Sequence, residues 1–547
     1  MELKDYISKV IYKALINRNI SFSDYIIEEP KNPEFGDLSS NVAMALAKTL
    51  KKSPRIIAEE LVQAFELDSN IIEQVNIAGQ GFINFKFSRK IYTVLLKNVL
   101  EEKEFYGKNN SGLGKRVNVE YVSVNPTGLL HLGHGRNACI GDTIANLYEW
   151  NGWDVTREYY FNNAGNQMKN LALSIYARYK QLLGNQYFPF PEDGYHGEYI
   201  KAIAEDLNEK YGDTYSQGTD EDLNFIRKFG ESWCFDRIKA TLTRLNIKQD
   251  VFFNEDSLYH NGKIDKLIQD LKKLNLVYEK DGALWLALSK MGLNDDRVIV
   301  KSTGEPTYRL PDIAYHRDKF ERGFDLLIDI FGADHIATIP DVLAAIKFLG
   351  FDTSKVRVLI HQFVTLTENG EQVKMSKRTG KSYTLDDLLD EVGEDVVRFF
   401  LIMRGISTHL EFDLGLAREQ SEKNPVFYLQ YAHARICSVL DLARERGIDL
   451  NSKPNLSLLE NNYEIELIKK ILKFKETVQI ACEKCEPQIL ADYLRELANA
   501  FHIFYHECRI LGVEESLQTA RLNLSIATKI ALKNGLSILG IKAPERM

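Results

Sequence analysis

The chain has 547 residues, 44% hydrophobic and 27% charged, with 34 Gly and 13 Pro. At roughly 100–200 residues per domain this is material for about three or four packed domains, which excludes a lone binding module and a disordered or collagenous chain. The 69 Lys and Arg against 77 Asp and Glu leave a formal charge of −8, so a polyanionic partner has to be met by local basic patches, not by the overall field.

No run approaches the roughly 18 apolar residues of a membrane span, and the opening MELKDYISKVIYKAL reads as an amphipathic helix without a signal-peptide core. Six scattered cysteines make no disulfide framework. A cytoplasmic protein with no membrane partner is expected.

Further along, Ser53-Pro54 is a helix start, with Ile57, Leu61, Ala64 and Phe65 on one face. Residues 79–85 read as a strand following glycines. The turn-rich stretch 107–114 marks a boundary, so residues 1–108 are expected to form an α+β N-terminal domain. Residues 117–122 then form a strand, a glycine-bearing loop follows, Ile140, Ile144, Leu147 and Tyr148 make a helical stripe, and residues 154–160 form a second strand. That is a βαβ unit. Its style returns in a strand at 325–331, a helix through Leu343 and Leu349, and a strand at 356–360.

The expected fold is therefore multidomain α/β. A Rossmann-type parallel-sheet domain spans residues 109–405, split by an insertion at about 171–300 that is helical at first and then mixed. Long periodic segments at 424–445, 464–485 and 487–511 predict an all-α helical bundle over 406–547. Cys482 and Cys485 are spaced as CxxC, but with no second pair they read as buried helix thiols and not as a zinc site. No protein-bound metal is expected.

The chemistry starts at Asn125-Pro126-Thr127-Gly128-Leu129-Leu130-His131-Leu132-Gly133-His134-Gly135-Arg136. His131 and His134 at a helix start point where the free helix N–H groups point, and Gly133 lets a nucleotide approach the backbone: a phosphate and adenine seat. Alone, such a pair reads sooner as a metal pair or as plain surface histidines. The second element is Lys374-Met375-Ser376-Lys377-Arg378-Thr379-Gly380, after the last predicted strand. A loop with two ammonium groups and a hydroxyl can close over a triphosphate and neutralise departing pyrophosphate, although alone it reads as a solvated basic loop. Both follow strands of one α/β sheet, and together they read as a site for a nucleoside triphosphate.

With these two elements the chain resembles the class I aminoacyl-tRNA synthetases: His131-Leu132-Gly133-His134 matches the HIGH signature and Lys374-Met375-Ser376-Lys377 the KMSKS signature, with Arg378 in place of the last serine. Within them it is most similar to the arginyl family, through Phe35-Gly36-Asp37-Leu38-Ser39-Ser40-Asn41, Ser123-Val124-Asn125-Pro126-Thr127-Gly128, the segment from Asn424 to Arg435, and a helix through Leu497 to Tyr505. The resemblance spans nearly the whole chain.

It implies ATP-dependent activation of L-arginine to an adenylate, with Mg²⁺ on the nucleotide, then transfer to the terminal ribose of tRNA(Arg), by a monomer. It implies that His131, His134, Lys374 and Lys377 are catalytic at the phosphates. Gly133, Asn137, Gly332, Asp334, His335, Met375 and Ser376 would surround ATP. Tyr308-Arg309-Leu310-Pro311-Asp312 resembles the family's substrate segment, so Tyr308 and Asp312 would meet the guanidinium, and Glu120 and Asn125 the amino and carboxylate end of arginine. Without the resemblance, Asp312 is also a helix cap and Glu120 a strand-end charge.

The resemblance makes residues 1–108 a binder of the tRNA elbow and the helical bundle the anticodon reader. Tyr428, Tyr431, His433 and Arg435 are either stacking groups for unpaired bases or helix core, and Lys469, Lys470 and Lys473 read as a solvated face. The alternatives are a class I enzyme for another amino acid, or an inactive RNA-binding relative.

Overall fold

The computed structural model describes residues 3–22, 24–333, 336–373 and 383–547. Its centre is a parallel sheet of short strands, whose burial is greatest in the middle and falls towards the edges. Strand β1 (Arg116–Glu120) buries Val117 and Val119 completely. It is flanked by β2 (Asp154–Phe161) on one side and β4 (Leu326–Gly332) on the other; β3 (Val251–Asn254) continues beyond β2, and β5 (Val356–His361) beyond β4. Among the described residues the order is therefore 3-2-1-4-5, with every pairing parallel. The chain reverses its winding between β1 and β4, and such a switch point leaves a crevice beyond the carboxyl ends of the two strands.

β3 differs from expectation. It lies inside the stretch read as one insertion, about 171–300, so that stretch is two outgrowths around an edge strand of the catalytic sheet. The first is helical, from Gly165–Leu182 through Glu198–Tyr211 to Asp220–Arg244. The second carries Lys263–Lys273 and an antiparallel sheet of Val277–Lys280, Ala283–Leu286 and Arg297–Val300. Four residues of Val-Phe-Phe-Asn are too few to show a strand period.

The N-terminal part has the expected helix (Leu3–Ile16) and the helix Pro54–Ala64, capped by Ser53 with Pro54 in its first turn. The strand expected at 79–85 is half of a hairpin, Ile72–Ala78 and Phe82–Phe87, with the glycines forming the turn. Gly81 has φ +123°, and a Cβ there would lie 2.8 Å from the Pro54 carbonyl oxygen. In the C-terminal part, the helix expected over 464–485 is two, Asn462–Leu472 and Phe474–Lys484. The Lys473 N–H is shared between the Lys469 and Lys470 carbonyls, both at 3.3 Å, while Phe474 turns inward against Tyr106 and Tyr493. Pro487–Glu507 and Glu515–Ile538 complete the bundle.

Helix α1 (Leu132–Trp150) fills the β1–β2 crossover and is buried along most of its length. Arg398, 1% exposed, fastens it to distant chain: its guanidinium donates to Asp142 of α1 (2.6 Å), the Leu245 carbonyl (2.5 Å) and the Leu539 carbonyl (2.9 Å). Among the described residues, no helix is long and apolar enough to cross a membrane.

Candidate active site

The crevice at the switch point is a cleft of about 950 Å³. Nine of the candidates read from the sequence line it: Glu120, Asn125, His131, Gly133, His134, Asn137, Tyr308, Asp312 and Gly332. They come from the β1 exit, the α1 start, the β4 end and the start of helix α2 (Arg309–Glu321). Asp334, His335, Lys374, Met375, Ser376 and Lys377 lie outside the described residues. The chain approaches that last group not directly from β5 but through a small sheet of Val364–Glu368, Glu371–Gln372 and Leu410–Asp413. On the far side, the Leu385 N–H donates to the Leu130 carbonyl (2.8 Å), beside His131.

His131 is the N-cap of α1. Its Nδ1 accepts from the N–H groups of Gly133 (3.1 Å) and His134 (3.4 Å), while His134 Nδ1 accepts from the His131 N–H (3.3 Å). This is a capping box built from imidazoles. It differs from the expectation of open helix N–H groups, because the His131 ring already occupies two of them. With Nδ1 accepting, the proton of each neutral ring sits on Nε2. The rings stack at 3.5 Å. Burial, with His131 and His361 nearby, pushes His134 down to about 3, and burial lowers His131 as well. Both are neutral donors at pH 7, and His134 is a poor base.

Asn137 is a clamp. Its Oδ1 accepts from the Val122 N–H (2.6 Å) and its Nδ2 donates to the Ile330 carbonyl (2.8 Å), so it ties the β1 exit to β4 across the switch point. Val122 and Ser123 have φ of 70° and 47°, and a β-branched residue takes that conformation only when its surroundings impose it.

At the other end of the cleft, Asp312 is half-buried on the first turn of α2, and among the described residues its carboxylate has no hydrogen-bond partner. Burial raises it to about 7, against the opposing charge of His316 and with the Glu255 and Glu120 carboxylates adding to the rise. Tyr308, 70% exposed, stands at the rim. Glu120 is no surface charge: it is 2% exposed, with Lys319 on one oxygen and the Ser123 hydroxyl (2.9 Å) on the other. The Asn125 side chain accepts from the Asn162 N–H (2.9 Å) and donates to Gln167 (3.1 Å).

Sequence reasoning missed Glu255. It follows β3, lines the cleft, and accepts from the Tyr160 hydroxyl (2.6 Å) and Asn162 (2.8 Å), with burial raising its carboxyl. The signal was an acidic residue directly after a strand, legible only once 251–254 is recognised as part of the sheet. Also missed was the part played by the first outgrowth, whose Gln167 lines the cleft and whose Tyr199 hydroxyl donates to the Thr127 carbonyl (2.7 Å) in the signature loop.

In the bundle, His433 is core, 1% exposed and against the Pro544 carbonyl (2.8 Å). Tyr428 and Tyr431 instead pack on His502, and the Arg435 guanidinium lies over both Tyr431 and Tyr505. Lys469 and Lys473 are paired across to the N-terminal part, with Asp37 (2.8 Å) and Glu29 (2.6 Å). Cys482 and Cys485 are buried. Among the described residues, no group of three or more His, Cys, Asp or Glu is arranged to hold a metal ion.

Comparison with known proteins gives three family matches along the chain: "Arginyl tRNA synthetase N terminal domain" over residues 1–87, "tRNA synthetases class I (R), catalytic domain" over 95–401, and "DALR anticodon binding domain" over 429–547. An arginine–tRNA ligase of Salinibacter ruber is 48% identical over 564 residues, covering all of both chains. That of Bacillus subtilis is 46% identical, covering all of this chain and 98% of the relative. The solved structure of Thermus thermophilus arginyl-tRNA synthetase, 23% identical, superposes with a TM-score of 0.77 over all of both chains and shares the fold.

Proposed function

The chain belongs to the arginyl-tRNA synthetases of class I, and from that membership we propose how its own residues carry the reaction. The enzyme activates L-arginine with ATP and transfers it to the terminal ribose of tRNA, releasing AMP and pyrophosphate. In the first step an arginine carboxylate oxygen bonds to the α-phosphorus as the bond to pyrophosphate breaks. No proton has to move, so the step needs positioning and stabilisation of phosphate charge, not a general base. Neutral imidazoles with Nε2–H outward suit that need: His131 and His134 donate to phosphate oxygens and do not compete for protons. Lys374 and Lys377 add ammonium charge from the segment whose downstream flank is tied to Leu130.

The nucleoside lies over Gly133 and Gly332, with Asp334, His335, Met375 and Ser376 completing its surroundings and Asn137 holding the floor. The guanidinium goes to Asp312, Glu255 and Tyr308, and the amino and carboxylate end to Glu120 and Asn125. Mg²⁺ travels with ATP and neutralises its phosphates. The donor set favours this, because the cleft's carboxylates Glu120, Glu255 and Asp312 interact with one another at the arginine end, whereas the signature loop offers imidazoles and backbone. In this reading residues 1–108 hold the tRNA elbow, 109–405 catalyse, and 406–547 read the anticodon through Tyr428, Tyr431 and Arg435; the enzyme works as a cytoplasmic monomer.

The observation that carries the site assignment is the placement of the imidazole pair and the unpartnered Asp312 on walls of one cleft. ATP–pyrophosphate exchange with each amino acid, with and without tRNA, tests it. Exchange confined to arginine is expected. Exchange with another amino acid moves the specificity, and none even with tRNA present sinks the proposal.

A further inference from the structure

Helix α2 places Asp312, His316 and Lys319 at helical spacing on the side facing the sheet. Lys319 is fully buried and bridges two strands, bonding to Glu120 of β1 and to Asp329 Oδ1 of β4 (2.6 Å). His316 lies between them and Asp312. Its Nδ1 is 2.8 Å from the Asp312 carbonyl oxygen, and its Nε2 is 3.1 Å from Asp329 Oδ2.

A carbonyl oxygen has no proton to give. Asp329, gripped by the Lys319 ammonium, is held well below the usual carboxylate range. Both ring nitrogens therefore donate, and the ring is an imidazolium. Two buried anions, Glu120 and Asp329, then meet two cations, Lys319 and His316. Asp312, one turn away, is left as a carboxylate without a bonded partner. Charges on the other elements packed here are tied elsewhere: Asp341 to Arg309 (2.7 Å), Asp270 to Arg317 (3.0 Å), Lys263 to Asp318, and Glu158 to Arg322 (2.6 Å) and Tyr315 (2.7 Å).

We propose that His316 is a positioning residue for arginine recognition: a locked imidazolium that favours the ionised form of Asp312 towards the cleft before the guanidinium arrives. The inference rests on reading Asp312 as the guanidinium ligand. Among the groups around Asp312, His316 is the foremost one opposing burial and the two neighbouring carboxylates. Removing its charge leaves Asp312 to take up a proton, and a protonated acid cannot form the charged pair.

The test uses the full-length enzyme with Asp312→Asn, His316→Gln and the double variant, and measures KM for arginine, KM for ATP and kcat in aminoacylation. At pH 6, below the range in which Asp312 titrates, His316→Gln is expected to raise the arginine KM about tenfold, the equivalent of one pKa unit at Asp312, with the ATP KM unchanged. In the Asp312→Asn background it should have no further effect. Parallel rises in both KM values, or effects that add in the double variant, overturn the inference. A normal arginine KM in Asp312→Asn alone overturns the pocket reading instead. Should His316→Gln fail to fold, ¹⁵N spectra of histidine-labelled wild type decide: one ring with both nitrogens protonated at pH 8 is expected, and its absence overturns the inference.

Discussion

Replacing Asp312 by Asn should weaken arginine binding and strengthen the fold at once. The carboxylate faces the cleft, half-buried and without a bonded partner. An amide presents an N–H₂ to a guanidinium that has only donors, and removing one side of a buried charged pair costs about 2–4 kcal/mol, or roughly 30- to 900-fold in the arginine KM. The stability effect has the opposite sign. In the folded protein the carboxyl titrates at about 7, against 3.8 as its ordinary value. Between these values the folded state keeps a proton that the unfolded chain releases, so stability falls as pH rises through the window, and above pH 7 the full cost is present. The gap of about three units is worth at most ~4 kcal/mol, and nearer ~2 for a half-buried group. Asn never carries the charge and should recover that amount at pH 8. Steady-state exchange at varied arginine and ATP, with denaturant unfolding at pH 5 and 8, measures both. An unchanged arginine KM, an equal rise for ATP, or a loss of stability at pH 8 would refute the argument.

Three further outcomes follow from the same geometry. Since arginine needs ionised Asp312, the arginine KM of the wild type should rise about tenfold per unit as pH falls below about 7 and level off above it, with the slope abolished in Asp312→Asn; a flat profile contradicts the assignment. His131→Asn keeps a good helix cap but loses the Nε2–H donor, so exchange should slow by roughly 10²–10³ with an intact circular dichroism spectrum and an arginine KM within about twofold. Asn137→Ala strands the Val122 N–H and Ile330 carbonyl in buried surroundings and should cost about 2–4 kcal/mol in chemical denaturation; a loss under ~1 kcal/mol would mean that the clamp is dispensable.

What could be read in advance was local. His131 and His134 sit three residues apart, and a helix start with two imidazoles is visible in a dozen residues of sequence. Strands β1, β2, β4 and β5 announce themselves by runs of β-branched, aliphatic and aromatic residues. The charges beneath the pocket were invisible for the converse reason. Glu120, Lys319 and Asp329 come from three elements and meet only when β1 and β4 pair. Glu255 depended on a four-residue edge strand, and its acidic side chain alone resembles any loop carboxylate. The break at Lys473 falls within a helical pattern that is continuous in sequence, and beside it Phe474 packs against Tyr106, from a distant part of the chain, and Tyr493 on the following helix.

The anchoring of Arg398 sets an order of events during synthesis. One of its acceptors is the carbonyl of Leu539, 141 residues further on. At about 10 residues per second the ribosome needs roughly 14 s to supply it. Until then one Arg398 N–H has only water to donate to, beside an α1 surface that the helix Glu515–Ile538 has yet to cover. Residues near Leu539, translated late, thus seal a region that was translated early, and a chain truncated before Leu539 would leave its interior open however complete its cleft.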